Sequence, residues 1–343
     1  MGRNRAYRGS HPPKALTMPE PIISVRNLVV FYRGLRGFVH AVDGVSIDVY
    51  KNEVLGIVGE SGSGKSTLAL SILRILPRDA WIVKGSIVFD GVDLAKAPES
   101  VLRRIRWRRI AYVPQAALNA LNPTLKIVDH VLETARAHGV RDRKAVIEKA
   151  VQLFEMLRLD PKRVLNSYPH ELSGGMKQRV TIALGLLLDP EVLILDEPTT
   201  ALDVLTQRFI LDLLKDLRRK INITMIFITH DIAIEADLAD RVAVMYAGKI
   251  MEVGDVYQIF KTPKHPYTQA LIRSIPSLIG SVEEMKPIPG SPPDLVNPPP
   301  GCRFHPRCPY AMDICKRKEP PLIEVEKGRL VACWLYAEEG GKA

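Results

Sequence analysis

Three short runs of consecutive apolar residues stand out along the chain, at 54–58, 192–195 and 225–228. Each run is followed directly by glycine-rich, charged or polar residues. Strands that are covered on both faces of a parallel sheet have continuous apolar runs, whereas half-exposed strands alternate between apolar and polar residues. The pattern therefore predicts three buried strands of a parallel-sheet α/β core whose ends carry polar side chains.

Two other patterns divide the rest of the chain. Apolar residues recur at helical spacing over 143–159, which predicts a helix there. After about residue 260 the composition changes, and seven of the fourteen residues in 287–300 are proline. Such a segment favours an extended, stiff connector over a helix or a central strand. From composition alone, a disordered linker to the tail is an equal alternative.

Length and charge narrow the class of protein. The chain has 343 residues and a formal net charge of +10, which favours an anionic partner such as a nucleotide, a nucleic acid or a lipid surface. We find no run of eighteen apolar residues that would span a bilayer. The basic segment at residues 1–16 lacks the apolar stretch of a secretory signal. We expect residues 1–20 to form a flexible basic leader, with Met1 or Met18 as the start, and the chain to stay in the cytosol.

The densest positive cluster is RRIRWRR at residues 103–109. A solvated helix face is the simpler interpretation of this cluster, since charge runs usually have that structure. Nucleic-acid binding is the alternative, but only Trp107 supplies the aromatic stacking that a single-strand platform needs. We therefore expect no nucleic-acid partner.

The residues after the first apolar run, GESGSGKS at 59–66, fit the phosphate-loop pattern G-x-x-x-x-G-K-[ST] without a mismatch. Glycines let backbone N–H groups curl around phosphate oxygens, and a helix predicted over 67–76, ended by Pro77, places its positive end beneath them. Lys65 is predicted to reach the β- and γ-phosphates, and the Ser66 hydroxyl to ligate Mg²⁺. The predicted triphosphate-binding residues are Gly59, Ser61, Gly62, Ser63, Gly64, Lys65, Ser66 and Thr67.

The second apolar run ends in two carboxylates, Asp196 and Glu197. A central parallel strand delivers such residues to the phosphate site. Asp196 is predicted to hold the Mg²⁺ shell and Glu197 to orient and polarise the attacking water. Together with the phosphate loop, this pair predicts hydrolysis of a nucleoside triphosphate.

Residues 172–175, Leu-Ser-Gly-Gly, resemble the signature sequence of ATP-binding cassette (ABC) ATPases. The resemblance implies that Ser173, Gly174 and Gly175 present donors at a helix start near Met176 to ATP held by the phosphate loop of a partner subunit. The ABC ATPase family also implies an ATP and Mg²⁺ requirement.

The same resemblance assigns further positions. Gln115 is similar to the glutamine that senses Mg²⁺ or water and faces the membrane partner, and Asp203 to the aspartate that crosses the dimer interface. His230, directly after the 225–228 run and Thr229, resembles the switch histidine that contacts the γ-phosphate. Tyr32 is the candidate for stacking on adenine, with Phe31 as a close rival. The catalytic set implied is Glu197, His230, Gln115 and Lys65, and Gln115 joins Ser66 and Asp196 at Mg²⁺.

Three positions depart from the family pattern. Met176 replaces the commoner glutamine, Thr200 stands where serine is more usual, and Ala116-Ala117 replaces an acidic residue followed by proline. None of these changes removes a predicted catalytic group.

The family resemblance supplies the fold that we expect. It is an ABC-type phosphate-loop nucleotide-binding domain at 21–260, with an antiparallel β portion at about 22–50 and a mostly helical subdomain at about 116–187. A C-terminal extension at 261–343 follows. Its KHPYTQALIRSIP segment resembles the ATPases of oligopeptide and dipeptide importers.

All four cysteines lie in that extension, at Cys302, Cys308, Cys315 and Cys333. Disulfides are disfavoured in a reducing cytosol, and the cluster suggests a metal centre. The spacing matches neither the usual paired zinc ligands nor a ferredoxin, and leaves the metal open. The resemblance to the importer ATPases implies a [4Fe–4S] cluster, with Zn²⁺ as the alternative and His305 outside the ligand set.

As a whole, the resemblance implies the ATP-hydrolysing subunit of a peptide importer on the cytoplasmic face of the membrane. Its partners would be a second ABC ATPase, as a heterodimer, two transmembrane permeases and an extracytoplasmic binding protein. Importers of oligosaccharides, nickel or glutathione are alternatives. A soluble ABC ATPase acting on nucleic acid or ribosomes is the rival from another class.

Overall fold

A computed structural model describes residues 20–115, 120–274 and 288–337. The predicted leader up to residue 19 and the Ala116-Ala117 departure lie outside the described residues. In chain order the strands are β1 Pro21–Gly34, β2 Gly37–Tyr50, β3 Val54–Val58, β4 Ala80–Phe89, β5 Val92–Asp93, β6 Ile110–Val113, β7 Val192–Asp196, β8 Thr224–Thr229, β9 Arg241–Tyr246, β10 Lys249–Asp255, β11 Ile323–Glu326 and β12 Arg329–Val331.

Helices lie between many of these strands, and several follow one another between β6 and β7. They are α1 Lys65–Leu73, α2 Glu99–Ile105, α3 Ile127–Ala137, α4 Arg143–Met156, α5 Pro161–Asn166, α6 Gly174–Leu186, α7 Val204–Ile221, α8 Ile232–Leu238, α9 Val256–Lys261 and α10 Pro266–Arg273. Short 3₁₀ helices occupy Pro169–Glu171, His305–Arg307 and Asp313–Lys316.

The main sheet has the strand order β11-β12-β10-β9-β3-β8-β7-β6. Strands β9, β3, β8, β7 and β6 are mutually parallel, and every residue of β3, β7 and β8 is buried. The three apolar runs of the sequence are therefore confirmed as central strands. Their carboxyl ends meet along one edge, where the polar residues that follow them collect.

A second, antiparallel sheet of four strands, in the order β2-β1-β4-β5, lies beside the main sheet. The predicted β portion at 22–50 corresponds to β1 and β2, which pair through a hairpin closed at Gly34 and Gly37. Strand β4 pairs with β1 from residues 80–89, far outside the predicted range. Its two short apolar runs, at 80–83 and 87–89, are interrupted by Lys84, Gly85 and Ser86, and only Ile87 and Phe89 in this strand are buried.

The helix after the phosphate loop ends earlier than predicted. It ends at Leu73, and Arg74 adopts a left-handed conformation in which its N–H bonds back to the carbonyls of Leu70 and Ser71. This cap ends the helix before Pro77 is reached. The predicted end at residue 76 was therefore wrong by three residues.

Helices α3 to α6 fill most of the segment predicted to be helical. Buried apolar residues of these helices, among them Val131, Phe154 and Val180, join the main sheet in one core cluster. The helix predicted at 143–159 is α4, which ends at Met156. Within the described residues, no helix is long and apolar enough to cross a membrane.

The C-terminal extension is built onto the main sheet. Strand β12 pairs with β10, and β11 pairs with β12, so the extension adds two strands to that edge. Phe304 and Cys315 share a buried cluster with Tyr246 and Val58 of the core. The extension is thus packed against the nucleotide-binding domain over a shared apolar interior.

Candidate functional site

The phosphate loop connects β3 to α1 and surrounds the Lys65 side chain. The Lys65 ammonium donates to the carbonyls of Gly59 at 2.7 Å and Glu60 at 3.0 Å, and the residue is 5% exposed. Gly64 precedes the helix with φ of 100°, and a Cβ there would lie 2.2 Å from the Ala41 carbonyl oxygen. Only glycine fits that position, and it leaves the helix N-terminus open to phosphate.

The first carboxylate at the end of β7 is held by two hydroxyls. Ser66 Oγ donates to Asp196 Oδ1 at 3.0 Å, and the Tyr112 hydroxyl donates to Asp196 Oδ2 at 2.8 Å. Burial raises the pKa of Asp196 above its usual value, while these hydrogen bonds act in the opposite direction. Hydroxyl and carboxylate oxygens are the ligands that Mg²⁺ prefers in proteins, so Ser66 and Asp196 form a suitable pair for it.

The second carboxylate, Glu197, is the point on which the polar groups converge. Its Oε2 lies 2.8 Å from Gln115 Nε2, 2.9 Å from Thr200 Oγ1 and 3.3 Å from His230 Nδ1. Glu197 itself has a positive φ of 46°, a conformation that non-glycine residues rarely adopt. Strain of this kind collects at functional sites, where the surrounding bonds hold it in place.

Electrostatics connect the lysine to both carboxylates. Burial lowers the pKa of Lys65, and the nearby charges of Glu197 and Asp196 counteract part of that decrease. An ammonium with these neighbours can bind a ligand that carries more negative charge than the two carboxylates do. A triphosphate with its metal ion is such a ligand.

A pocket of about 570 Å³ opens above the phosphate loop. Tyr32, Gln115 and Glu197 line it together with residues 61–67. The Tyr32 hydroxyl is 3.1 Å from Thr67 Oγ1, whereas the Phe31 ring lies tilted against the His40 ring, with centroids 4.1 Å apart, and does not line the pocket. The geometry favours Tyr32 over Phe31 as the residue that faces a base.

The signature and Asp203 lie apart from this pocket in the single chain. Ser173 caps α6 by accepting from the Met176 N–H at 3.3 Å, and Asp203 caps α7 through Thr206. None of these residues lines the pocket. Ser173 lies at a helix start, as predicted for the signature, and Asp203 lies at another, but the chain does not bring either residue to its own phosphate loop.

The arginine cluster is mostly engaged within the molecule. Helix α2 covers only its first part and ends at Ile105, so the single helix face expected over 103–109 was wrong. Arg106 donates to the Leu73 carbonyl at 2.7 Å, and Arg109 pairs with Asp90 and Glu191. Arg106 and Arg109 are therefore engaged within the fold, whereas Arg103, Arg104 and Arg108 are exposed.

The four cysteines gather where the extension meets β10. None forms a disulfide, and the Cys302 N–H donates to the Cys315 carbonyl at 2.8 Å. Burial, and to a smaller extent the other three thiols, raises the pKa of Cys302 to about 12. Across the described residues, however, no group of three or more His, Cys, Asp or Glu side chains is arranged to hold a metal ion. His305 Nδ1 instead lies 2.9 Å from the Cys302 carbonyl oxygen.

Three features of the site were missed by sequence reasoning. Tyr112 binds Asp196, Thr200 binds Glu197, and residues 292–295 line the pocket. Tyr112 could have been found from its position in the sequence, because it stands three residues before Gln115. It lies in β6, the strand that pairs with β7. From the sequence, Thr200 is only a departure from the usual serine. In the structure its hydroxyl donates to the Glu197 carboxylate, a hydrogen bond that a serine hydroxyl could also make.

Comparison with known proteins gives two family matches. The sequence profile described as ABC transporter matches residues 42–200. The profile described as the C-terminal region of oligopeptide/dipeptide transporters matches residues 251–315. The two matches correspond to the nucleotide-binding domain and to the start of the extension.

Similar proteins cover almost the whole chain. The dipeptide transport ATP-binding protein DppD of Caldanaerobacter subterraneus subsp. tengcongensis is 54% identical, over 92% of this chain and 98% of its own length. DppD of Bacillus subtilis is 44% identical, over 94% of this chain and 97% of its own length. The oligopeptide transport ATP-binding protein OppD of Escherichia coli is 40% identical, over 95% of this chain and 97% of its own length.

Solved structures agree with the fold. A dimeric bacterial ABC transporter cassette superposes with a TM-score of 0.61 at 28% identity, covering 68% of this chain and 98% of its own. A post-hydrolysis dimer of that cassette with ADP and phosphate gives a TM-score of 0.58 over the same shares.

Proposed function

The chain belongs to the family of dipeptide and oligopeptide ABC transporter ATP-binding proteins, and from that premise we propose how its residues perform the reaction. It is the ATP-binding subunit of a peptide importer and couples ATP hydrolysis to transport. The observation that carries the proposed mechanism is the convergence of Gln115, Thr200 and His230 on one oxygen of Glu197, beside the phosphate loop.

ATP binding is proposed to redirect Lys65. In the absence of nucleotide its ammonium is satisfied by loop carbonyls, which phosphate oxygens can replace with stronger charge-assisted bonds. Ser66, Asp196 and Gln115 would hold Mg²⁺, which neutralises phosphate charge when bound. Tyr32 would stack on the base, and the loop N–H groups at the start of α1 would bind the phosphates.

Glu197 is proposed to accept the proton of the attacking water and to orient it toward the γ-phosphate. Gln115 and Thr200 donate to the same oxygen, which leaves the other oxygen of the carboxylate for water. His230, whose side chain is 56% exposed and lies 3.3 Å from Glu197 Oε2, is proposed to contact the γ-phosphate. The barrier is lowered by positioning and charge stabilisation rather than by covalent chemistry.

A second ABC subunit is proposed to complete the site. Ser173 is exposed, Gly174 half-buried and Gly175 buried at a helix start away from the pocket of their own chain, where we propose that they cover the nucleotide of a partner. Asp203 would lie at the same interface. Closure of the pair would drive two permeases, with the substrate delivered by an extracytoplasmic binding protein and this chain on the cytoplasmic face.

The cysteines remain a separate proposal. A [4Fe–4S] cluster, or Zn²⁺ in its place, is favoured by four unpaired thiols at one junction, but the described side chains do not form a metal-holding group. We therefore derive no step of the reaction from it. Anaerobic purification with iron, sulfide and zinc analysis decides the matter: about four irons per chain are expected for the cluster. A colourless protein without either metal would exclude both.

The experiment that tests the transport assignment is affinity purification of the chain from its own detergent-solubilised membranes, with mass spectrometry of the bound proteins. Two multi-span permeases, a second cassette ATPase and a binding protein are expected. Recovery of ribosomal or DNA-binding proteins without any permease would instead favour the soluble rival. The binding protein can then be titrated with peptides, sugars, nickel and glutathione.

A further inference from the structure

Glu60, the second residue of the phosphate loop, is bound by a side chain of the C-terminal extension. The two terminal nitrogens of Arg307 donate to the two oxygens of the Glu60 carboxylate, at 2.7 Å and 3.0 Å. Such a bidentate pair fixes orientation as well as charge. The two residues are 247 positions apart, so this contact is invisible in the sequence.

Arg307 is itself held firmly. Its Nε donates to the Pro289 carbonyl at 2.7 Å and its Nη1 to the Tyr246 hydroxyl at 3.2 Å. The Arg307 side chain is only 6% exposed, compared with 24% for Glu60. A guanidinium with this many partners has little freedom to move, and it therefore acts as a fixed support for the loop.

The extension also holds the backbone of the same loop residue. The Glu60 N–H donates to the Tyr267 hydroxyl at 3.0 Å. Tyr267 lies on α10, is fully buried, and packs against Tyr246 and Phe304 with ring centroids 4.6 Å and 5.3 Å apart. Side chain and main chain of Glu60 are thus both anchored by residues outside the nucleotide-binding core.

The charge of Glu60 gives this anchoring a consequence for binding. A carboxylate in a loop that surrounds phosphates repels them, and it also attracts the Lys65 ammonium. The Lys65 ammonium already donates to the Glu60 carbonyl. Pairing with Arg307 neutralises the carboxylate and leaves Lys65 available for the phosphates.

The proline-rich segment reaches the same pocket from the other side. Pro292, Pro293, Asp294 and Leu295 line the pocket above the phosphate loop, near Tyr32. The Leu295 carbonyl accepts from the His40 N–H at 2.9 Å, which ties this segment to β2. The extension therefore lines the nucleotide pocket through residues 292–295 and binds the phosphate loop through Arg307 and Tyr267.

We propose that Arg307 is a positioning residue for ATP: it neutralises and orients Glu60, so that the C-terminal extension forms part of the nucleotide site. The proposal rests on the assignment of the phosphate loop as the ATP site. It does not depend on whether the neighbouring Cys308 holds a metal.

The test is calorimetric titration of the full-length chain with the magnesium complex of AMP-PNP, an ATP analogue that is not hydrolysed. Arg307→Ala is expected to raise the Kd about tenfold, and Arg307→Lys, which keeps the charge without the fork, about threefold. In a Glu60→Gln background the same Arg307→Ala change is expected to alter the Kd by less than about twofold, since no carboxylate is left unpaired. Arg317→Ala, which removes an exposed arginine of the same extension, is the matched control.

The outcomes of this titration distinguish a failure of the ATP assignment from a failure of the positioning role of Arg307. If wild-type protein does not bind the analogue, the ATP assignment itself fails. If it binds, and Arg307→Ala has the Kd of Arg317→Ala, the positioning role is wrong. An equal loss in the wild-type and Glu60→Gln backgrounds would also overturn it, because the effect would not pass through Glu60. Should Arg307→Ala not fold, the Arg307→Lys variant in both backgrounds gives the same decision.

Discussion

At the scale of single residues, Glu235 on α8 is the most unusual group outside the nucleotide site. It is fully buried, and neither carboxylate oxygen has a hydrogen-bond partner among the described residues. Gly56 of β3 makes the room for it, because a Cβ there would lie 2.2 Å from Glu235 Oε2. Burial, and then the charge of Asp231, raises the pKa of Glu235 well above its usual value, so the folded protein holds this proton to a higher pH than the unfolded chain does.

The burial of Glu235 predicts that the free energy of unfolding depends on pH. The unfolded chain loses the Glu235 proton near pH 4.3, whereas the folded protein retains it to a higher pH, so stability decreases as pH rises between the two pKa values. We expect Glu235→Gln to raise the free energy of unfolding by about 1–3 kcal/mol at pH 8 and by less at pH 5. Urea denaturation at both pH values measures this. The exposed Glu155→Gln change is the control, and equal gains at both pH values would contradict the account.

At the scale of elements, the junction of the extension with the main sheet is centred on a buried ion pair. Glu252 of β10 and Arg329 of β12 are both 0% exposed, with Arg329 Nη2 2.7 Å from Glu252 Oε1. The Glu252 carboxylate also accepts from the backbone N–H groups of Lys264 and His265, at the start of α10. One carboxylate therefore connects a strand of the core, a strand of the extension and a helix.

Removing one member of that pair leaves a buried charge. Arg329→Met is expected to lower the free energy of unfolding by about 3–5 kcal/mol, and the double change Arg329→Met with Glu252→Gln to recover part of the loss. The more exposed pair of Lys264 and Glu326 at the same junction, at 32% and 44% exposure, is the comparison, with a loss below about 1 kcal/mol for Lys264→Met. Chemical denaturation of the full chain measures all three. Similar losses for Arg329→Met and Lys264→Met would refute this role of the buried pair.

What the sequence predicts well is local, and what it misses depends on distant contacts. The phosphate loop, the runs that became β3, β7 and β8, and the carboxylates after β7 are encoded in consecutive residues. The bonds of Tyr112 to Asp196 and of Arg307 to Glu60 join residues 84 and 247 positions apart. The proline-rich segment was predicted as a connector because its composition indicates stiffness. Composition does not show that residues 292–295 line the nucleotide pocket.

At the scale of the whole molecule, the parallel core, the antiparallel sheet and the extension surround one nucleotide pocket. Polar groups from the ends of β3, β6, β7 and β8 meet there, as the parallel order of these strands requires. The excess positive charge is partly used within the fold, as the pairs of Arg106 and Arg109 show. The molecule is thus organised around this pocket, and Ser173–Gly175 and Asp203 lie apart from it, where we propose that a partner subunit binds.

The measurement that tests this account most directly is ATP hydrolysis by the membrane complex isolated with the chain, in wild-type and Glu197→Gln forms. Wild-type turnover is expected to rise with peptide-loaded binding protein, and Glu197→Gln to lower it at least about 100-fold while ATP still binds. Loss of turnover with retained binding would place the chemistry at Glu197. Unchanged turnover in Glu197→Gln, or a wild-type rate that peptide does not alter, would contradict the central claim.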